Sequence, residues 1–110
     1  MSRYVILEHD YPQLHWDFML EAGAKLRTWR LTAPPTAGQA VTASASFDHR
    51  LVYLDYEGPL SGQRGQVVQW DRGDYEEVLV DDHQLQVYLR GRKLHGTLTL
   101  LAEGTLQYCP

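Results

Sequence analysis

The chain has 110 residues, a length that suits one folded domain and excludes a second domain with its own core. Ten basic residues stand against 14 acidic ones, and the resulting net charge of −4 gives no general electrostatic attraction to nucleic acid or to an anionic membrane. The sequence contains no apolar run of membrane-spanning length and no secretory signal, and its single cysteine, Cys109, fits a cytoplasmic protein.

Apolar residues recur mostly with a period of two, which predicts a mainly β protein. In chain order, the predicted strands are 4–7, 15–21, 25–31, 42–47, 66–70, 75–80, 85–89 and 93–101. Turns are predicted between them, including one at 71–74, and residues 48–65 are predicted to form a long functional loop. About seven or eight short strands with frequent turns favour a single-domain, small antiparallel β-barrel with at most a short helix.

The strand 15–21 alternates cleanly, so its two faces differ in chemistry. Large apolar side chains share one face, namely Trp16, Phe18 and Leu20. His15 and Asp17 share the other face, and His9 ends the preceding predicted strand, from which a short loop would bring it beside them. Two imidazoles and a carboxylate are suitable ligands for Mn²⁺, Zn²⁺ or Fe²⁺. The alternative is a solvated polar face, because a His-x-Asp pair is a short motif.

A second candidate group begins at His49, with Tyr53 four residues later. An imidazole titrates near neutral pH, so His49 is a candidate phosphate ligand or proton donor, and a plain surface histidine is the alternative. Several arginines are candidates for a phosphate-binding patch or for ordinary surface charge: Arg27, Arg30, Arg50, Arg64 and Arg72.

Taken together and in order, several short strings resemble the 3′-phosphoesterase module of bacterial DNA ligase D. The strings are Leu7-Glu8-His9-Asp10, Leu14-His15-Trp16-Asp17-Phe18-Met19-Leu20-Glu21, Leu26-Arg27-Thr28-Trp29, Asp48-His49 with Tyr53 and Tyr56-Glu57-Gly58, Trp70-Asp71-Arg72-Gly73, and Leu89-x-Gly91-x-Lys93-Leu94-x-Gly96. The resemblance covers nearly the whole chain, so residues 1–110 are expected to form one domain of this type.

The resemblance implies a metal-dependent phosphoesterase of DNA end repair that removes a 3′-ribonucleoside and then the remaining 3′-phosphate. The implied metal is most often Mn²⁺, with His9, His15 and Asp17 as its ligands. His49 would be the phosphate-contacting histidine and Tyr53 an active-site tyrosine. The implied substrate is the 3′ end of DNA, or of DNA tipped with RNA, and a separately encoded ligase or polymerase is a candidate partner.

The chain departs from the family pattern at cationic positions. Ala33 stands where the family usually has a phosphate-binding lysine. The family also has an arginine on the strand before the Asp-His pair, and the corresponding position, near Val41, carries no basic residue here. Phe47 replaces an acidic residue just before Asp48. Arg30, Arg50 or Arg64 would have to supply the missing charge, so weak binding of DNA is expected. The alternatives are a non-catalytic binding module and an enzyme for a different phosphoester.

Overall fold

β-Strands make up most of the structure, a computed structural model that describes residues 2–110. The nine strands, in chain order, are Ser2–His9 (β1), His15–Ala22 (β2), Lys25–Leu31 (β3), Val41–Arg50 (β4), Gly58–Pro59 (β5), Gln66–Val80 (β6), Gln84–Gly91 (β7), His95–Leu101 (β8) and Thr105–Cys109 (β9). One 3₁₀ helix, Leu51–Leu54, follows β4. Within the described residues, no helix is long and apolar enough to cross a membrane.

The strands form one sheet whose two ends meet. Its order is β1-β2-β3-β4-β9-β8-β7-β6-β5, and β1 also pairs with β6. All pairs between these strands are antiparallel. The β1–β6 pairing closes the sheet on itself and leaves β5 as a short addition to β6. The predicted mainly β, antiparallel fold is therefore confirmed.

Apolar side chains pack on both sides of this sheet. The larger cluster takes side chains from almost every strand, so it fills the interior of the closed sheet, and it includes Phe18 and Leu20. The smaller cluster lies on the outer side, where Leu54 and the segment that follows β4 cover Leu7 and Met19. The two faces of β2 therefore differ as the alternation predicts, and His15 and Asp17 share the outer face with Met19.

The structure corrects several predicted boundaries. Residues 71–74 do not form a turn, because β6 runs without interruption from Gln66 to Val80. The predicted strand 93–101 begins only at His95, and β9 was not predicted from the sequence. The strand predicted at 42–47 extends to Arg50, so His49 lies on a strand rather than in a loop.

A buried carboxylate explains why the turn-like residues near 71 belong to a strand. Asp71 is only 2% exposed. Its two oxygens accept hydrogen bonds from the Tyr4 hydroxyl at 2.6 Å and from the backbone N–H groups of Lys93 at 2.8 Å and Leu94 at 3.1 Å. Gly91 is required beside it, because a Cβ there would lie 1.8 Å from the Tyr4 hydroxyl oxygen. Asp71 therefore fixes the β7–β8 turn to β1, which is a structural role.

Candidate metal centre and adjacent cavity

Three metal-ligating side chains meet where β1 ends and β2 begins. His9 and His15 are directly opposed in the antiparallel register, and Asp17 is opposed to Leu7 two positions along. Opposed residues and residues two apart project to the same face of a sheet. The register alone therefore brings the two imidazoles and the carboxylate together, as the alternation in the sequence predicts.

The donor atoms of these three residues are close enough to share one ion. One ligand atom from each lies within 4.8 Å of the others. Asp17 Oδ2 is 3.2 Å from His15 Nε2 and 3.7 Å from His9 Nδ1. Bonds of about 2.0–2.2 Å to one ion place neighbouring donors roughly 3–3.5 Å apart. The residues present therefore fit a divalent metal ion.

Both imidazoles are oriented by backbone carbonyls on the side away from Asp17. His9 Nε2 donates to the Arg64 carbonyl at 2.9 Å, and His15 Nδ1 donates to the Gln13 carbonyl at 2.8 Å. Each ring therefore carries a proton on its outer nitrogen, and the neutral ring has its lone pair on the nitrogen that faces the carboxylate. Histidine ligands in metalloproteins are usually held in this way.

A turn at residues 61–65 supports the centre from one side. Asp10, the residue after His9, accepts a hydrogen bond at its Oδ1 from the backbone N–H of Gln66 at 2.8 Å. This bond holds the end of the turn close to His9. Gly65 has φ of +76°, and a Cβ there would lie 2.2 Å from Asp10 Oδ1. Only glycine allows this close approach, so Gly65 and Asp10 together position the Arg64 carbonyl that orients His9.

A cavity of about 370 Å³ opens beside the three residues. Its wall includes His9 and Asp17 of the candidate metal centre together with His49 and Tyr53. Three arginines, one aspartate and several apolar or aromatic side chains complete the wall: Arg30, Arg50, Arg64, Asp48, Leu7, Tyr11, Pro12, Met19, Phe47, Leu60 and Val67. The candidate residues predicted from the sequence all line this opening, except the buried His15 and two of the arginines, Arg27 and Arg72.

His49 is held firmly in this wall. Its Nδ1 lies 3.0 Å from the Phe47 carbonyl and 2.9 Å from the Thr28 hydroxyl, whose own proton is directed to the Leu26 carbonyl. Since a carbonyl only accepts, Nδ1 carries the proton and Nε2 is the free nitrogen of the neutral ring. Burial lowers the pKa of His49 below its ordinary value, an effect larger than the opposing influence of Asp17. The neutral form therefore predominates at pH 7.

Aromatic rings surround His49. Phe47 stacks on the imidazole with ring centres 4.6 Å apart and planes inclined by 17°. Tyr53 meets the imidazole edge-on at 5.8 Å, and the Arg50 guanidinium lies over the Tyr53 ring at 5.9 Å. Tyr53 therefore lies beside His49, next to which the family resemblance placed it.

Three guanidinium groups supply positive charge at the cavity. Arg30 is directly opposed to Asp17 in the β2–β3 register, so it lies on the same face as the candidate metal centre. Among residues 2–110, ion pairs engage Arg3, Arg72, Arg90 and Lys25 with carboxylates, but they do not engage Arg30, Arg50 or Arg64. Arg27 and Arg72 are not in the wall, because Arg27 lies over the Trp29 ring and Arg72 pairs with Asp55.

The two positions where the family pattern places cations lie elsewhere. Val41 is buried in the interior cluster, and Ala33 packs against that cluster and does not line the cavity. The two positions at which the family has cationic side chains therefore contribute neither charge nor surface to this cavity. His83 and His95 are exposed, and neither lines the cavity.

Sequence reasoning missed the residues that orient the functional side chains. The carbonyls of Gln13 and Arg64 carry no side-chain signal, so no motif could have found them. Thr28 could have been found, because it lies in the string 26–29 that carries part of the family resemblance. Phe47 was noted only as the loss of an acidic residue, not as part of the cavity wall.

The chain is similar in sequence to known proteins. A sequence model of the DNA ligase D 3′-phosphoesterase domain matches residues 7–102. A multifunctional non-homologous end joining protein LigD of Pseudomonas aeruginosa is 36% identical over 92% of this chain. The corresponding proteins of Mycobacterium tuberculosis and Mycolicibacterium smegmatis are 33% and 30% identical over 91% of it. The match covers only 13%, 14% and 15% of those three proteins.

Proposed function

This chain belongs to the DNA ligase D 3′-phosphoesterase domain family, and we propose that it is a metal-dependent phosphoesterase that acts on 3′ ends of DNA during end joining. The observation that carries the proposal is the cluster of His9, His15 and Asp17 beside a cavity that also contains His49. The relatives' names supply the process, non-homologous end joining.

The proposed substrates are 3′-phosphate and 3′-ribonucleotide ends. His9 Nδ1, His15 Nε2 and Asp17 Oδ2 would hold the metal ion, with Mn²⁺ as the first choice and Zn²⁺ as the alternative for this mixed nitrogen and oxygen donor set. When bound, the ion would polarise the phosphoryl group and lower the pKa of a water molecule. Three arginines of the cavity wall, Arg30, Arg50 and Arg64, would bind the non-bridging phosphate oxygens.

His49 is proposed to accept the proton of the attacking water. It is suited to this because its ring is neutral at pH 7, its Nδ1–H is held by the Phe47 carbonyl, and its Nε2 has a free lone pair. The water oxygen attacks phosphorus. At a 3′-ribonucleotide end, the bond from phosphorus to the 5′ oxygen of the terminal ribonucleoside breaks, which releases the nucleoside and leaves a 3′-phosphate. At a 3′-phosphate end, the bond from phosphorus to the 3′ oxygen of the DNA breaks, and in both cases the leaving oxygen takes a proton from solvent. The resulting imidazolium would then stabilise the negative charge on the phosphoryl group.

Thr28 is proposed as a positioning residue. Its hydroxyl, 2.9 Å from His49 Nδ1, helps to fix the ring plane, and Thr28 does not itself line the cavity. Tyr53 is proposed to fix the same ring from its edge. These two contacts explain how a histidine on the end of β4 keeps one orientation at the wall of an open cavity.

The test is release of phosphate or nucleoside from a DNA primer that ends in a 3′-phosphate or a 3′-ribonucleotide, with Mn²⁺ present and then removed by a chelator. Mn²⁺-dependent release that His49→Ala abolishes would support the proposal. A fully metal-loaded wild-type protein that releases nothing from either primer would contradict it.

A non-catalytic module that binds DNA ends is the second candidate. It is favoured by one observation, namely that Ala33 and Val41 contribute no charge to the cavity. Such a module would bind 3′ ends with the metal ion and the three arginines but would show no turnover. Binding of the same primers without product release therefore separates the two candidates.

A further inference from the structure

Phe47 is a large apolar side chain that folding does not bury. Its side chain is 72% exposed, the largest exposed fraction among the large hydrophobic residues of the described chain. It nevertheless lines the cavity beside the candidate metal centre. An exposed aromatic ring gains little from the core, so its position at this opening points to a ligand that covers it.

The local backbone presents this ring to the cavity. The β3–β4 register shifts between Leu26 and Thr28, where Leu26 is opposed to His49 and Thr28 to Ser46. Two residues, Phe47 and Asp48, are therefore accommodated opposite one residue of β3. A bulge of this kind changes the direction of side chains and is common next to active sites. Of these two residues, Asp48 forms an ion pair with Lys25 at 3.0 Å.

One face of the Phe47 ring is covered and fixed, because His49 stacks on it nearly parallel, with planes 17° apart. With 72% of the side chain exposed, the remaining aromatic surface is open to solvent. Unpaired cations from Arg30 and Arg50 lie in the same wall. An open aromatic face next to cationic side chains is the arrangement with which proteins bind the bases and backbone of single-stranded nucleic acid.

We propose that Phe47 is a stacking platform for the nucleobase of the 3′-terminal nucleotide, which it holds while the terminal phosphate lies at the candidate metal centre. The proposal rests on the proposed function and deepens it, because it specifies a 3′ end that carries a base. Every base has an aromatic face, so the platform selects for the presence of a terminal base rather than for a particular sequence.

The test measures equilibrium binding of two short DNA strands that both end in a 3′-methylenephosphonate, whose P–C bond cannot be hydrolysed. One strand has a normal terminal base and the other an abasic terminal nucleotide. The metal-loaded wild type should bind the strand with the base about 5- to 150-fold more tightly, the range that stacking of one base gives. Phe47→Ala should remove this preference, Phe47→Trp should keep it, and Phe47→Leu should lose most of it.

Tyr88→Ala is the matched control, because Tyr88 is an exposed aromatic residue that does not line the cavity. It should keep the wild-type preference. Equal binding of the two strands by the wild type would overturn the platform, and phosphate release from the ordinary primers would then show that the proposed function still stands. A preference that Phe47→Ala removes would support the platform even without turnover. Absence of binding to either strand would also overturn the platform, and phosphate release from the ordinary primers would again decide the proposed function separately.

Discussion

His9 and His15 are directly opposed across the β1–β2 pair, with their ring centres 4.7 Å apart. The five residues between them form the connection from β1 to β2, so the two imidazoles are brought together by a local hairpin rather than by a distant loop. Asp17 then joins them through the period of two along β2. A donor set built on two paired strands is well positioned before any ion binds.

Loss of one imidazole from this set should weaken metal binding strongly. His15→Ala should reduce affinity for Mn²⁺ by at least about a hundredfold, because three protein donors become two. Isothermal titration with Mn²⁺ measures the change, and Asp17→Asn, which keeps the side-chain shape, should weaken binding as well. The control is His83→Ala, which changes an exposed histidine in the turn between β6 and β7. Equal affinity of wild type and His15→Ala would refute the assignment.

Removal of His49 should affect turnover and leave metal binding intact. His49→Ala should lower kcat by about a hundredfold or more, which is typical for the loss of a general base. Thr28→Val keeps the side-chain volume and removes only the hydroxyl that contacts Nδ1, so a loss of roughly tenfold is expected for a positioning residue. Both variants should bind Mn²⁺ like the wild type. A His49→Ala protein with unchanged kcat would remove His49 from the mechanism.

The pH dependence should follow the lowered pKa of His49. Burial disfavours the imidazolium, and a bound cation nearby acts in the same direction. A neutral His49 is required as proton acceptor, so kcat/KM at saturating metal should fall on acidification with a midpoint below the ordinary histidine pKa of about 6.5. The lowered pKa also makes the free energy of unfolding depend on pH. The stabilisation is fully present above the pKa that His49 has in the unfolded chain, and it is lost as the pH falls through the lower pKa of the folded protein.

His49→Gln provides the control for that profile. This variant should lose the inflection that belongs to His49 while it retains any fall that comes from protonation of the metal ligands at low pH. The titration of His49 can also be followed directly by NMR of the imidazole protons. An imidazole that titrates above pH 6.5 in the free protein would contradict the lowered pKa and the proposed role.

Much of this site could be predicted because its elements are local and periodic. Alternation along 15–21 placed His15 and Asp17 together, and the strand ending at His9 supplied the third ligand. The family resemblance, rather than spacing, selected His49 and Tyr53. The turn predicted at 71–74 was wrong because Asp71 and Gly73 are typical turn residues, whereas here Asp71 accepts buried hydrogen bonds and Gly73 admits the close approach of the Arg90 carbonyl. Such long-range contacts leave no periodic signal.

The three cavity arginines should control the weak binding of DNA. With a net charge of −4, the chain should bind single-stranded 3′ ends with a Kd no tighter than about the micromolar range at physiological salt. Arg30→Gln should weaken binding and lower the slope of log K against log salt by about 0.7, the value for one phosphate contact. Arg27→Gln is the matched control, because Arg27 lies over Trp29 on the same strand and not in the cavity wall. An equal change in both variants would exclude a specific role for Arg30.

The contact between Tyr4 and Asp71 should govern stability and not catalysis. Burial raises the pKa of the Tyr4 phenol, and Asp71 raises it further, so the hydroxyl remains a donor at all physiological pH values. Tyr4→Phe should lower the free energy of unfolding by about 1–3 kcal/mol, because it leaves one buried carboxylate oxygen without its 2.6 Å donor. Tyr88→Phe removes an exposed hydroxyl and should change stability by less than about 0.5 kcal/mol.

Gly91→Ala tests the same contact from the opposite side. Its new Cβ would lie 1.8 Å from the Tyr4 hydroxyl oxygen and 2.4 Å from Asp71 Oδ2, so the β7–β8 turn must move away from β1. We expect a loss of about 3 kcal/mol, which is larger than for most single substitutions and would lower Tm by roughly 10 °C. In the double variant with Tyr4→Phe, the loss should be smaller than the sum of the two single losses, because the hydroxyl that Cβ would displace is already absent. The losses are measured by urea unfolding, and additive losses would show that the new Cβ does not act through the Tyr4 hydroxyl. A fall in kcat for Tyr4→Phe with unchanged metal binding would contradict a purely structural role of the contact between Tyr4 and Asp71.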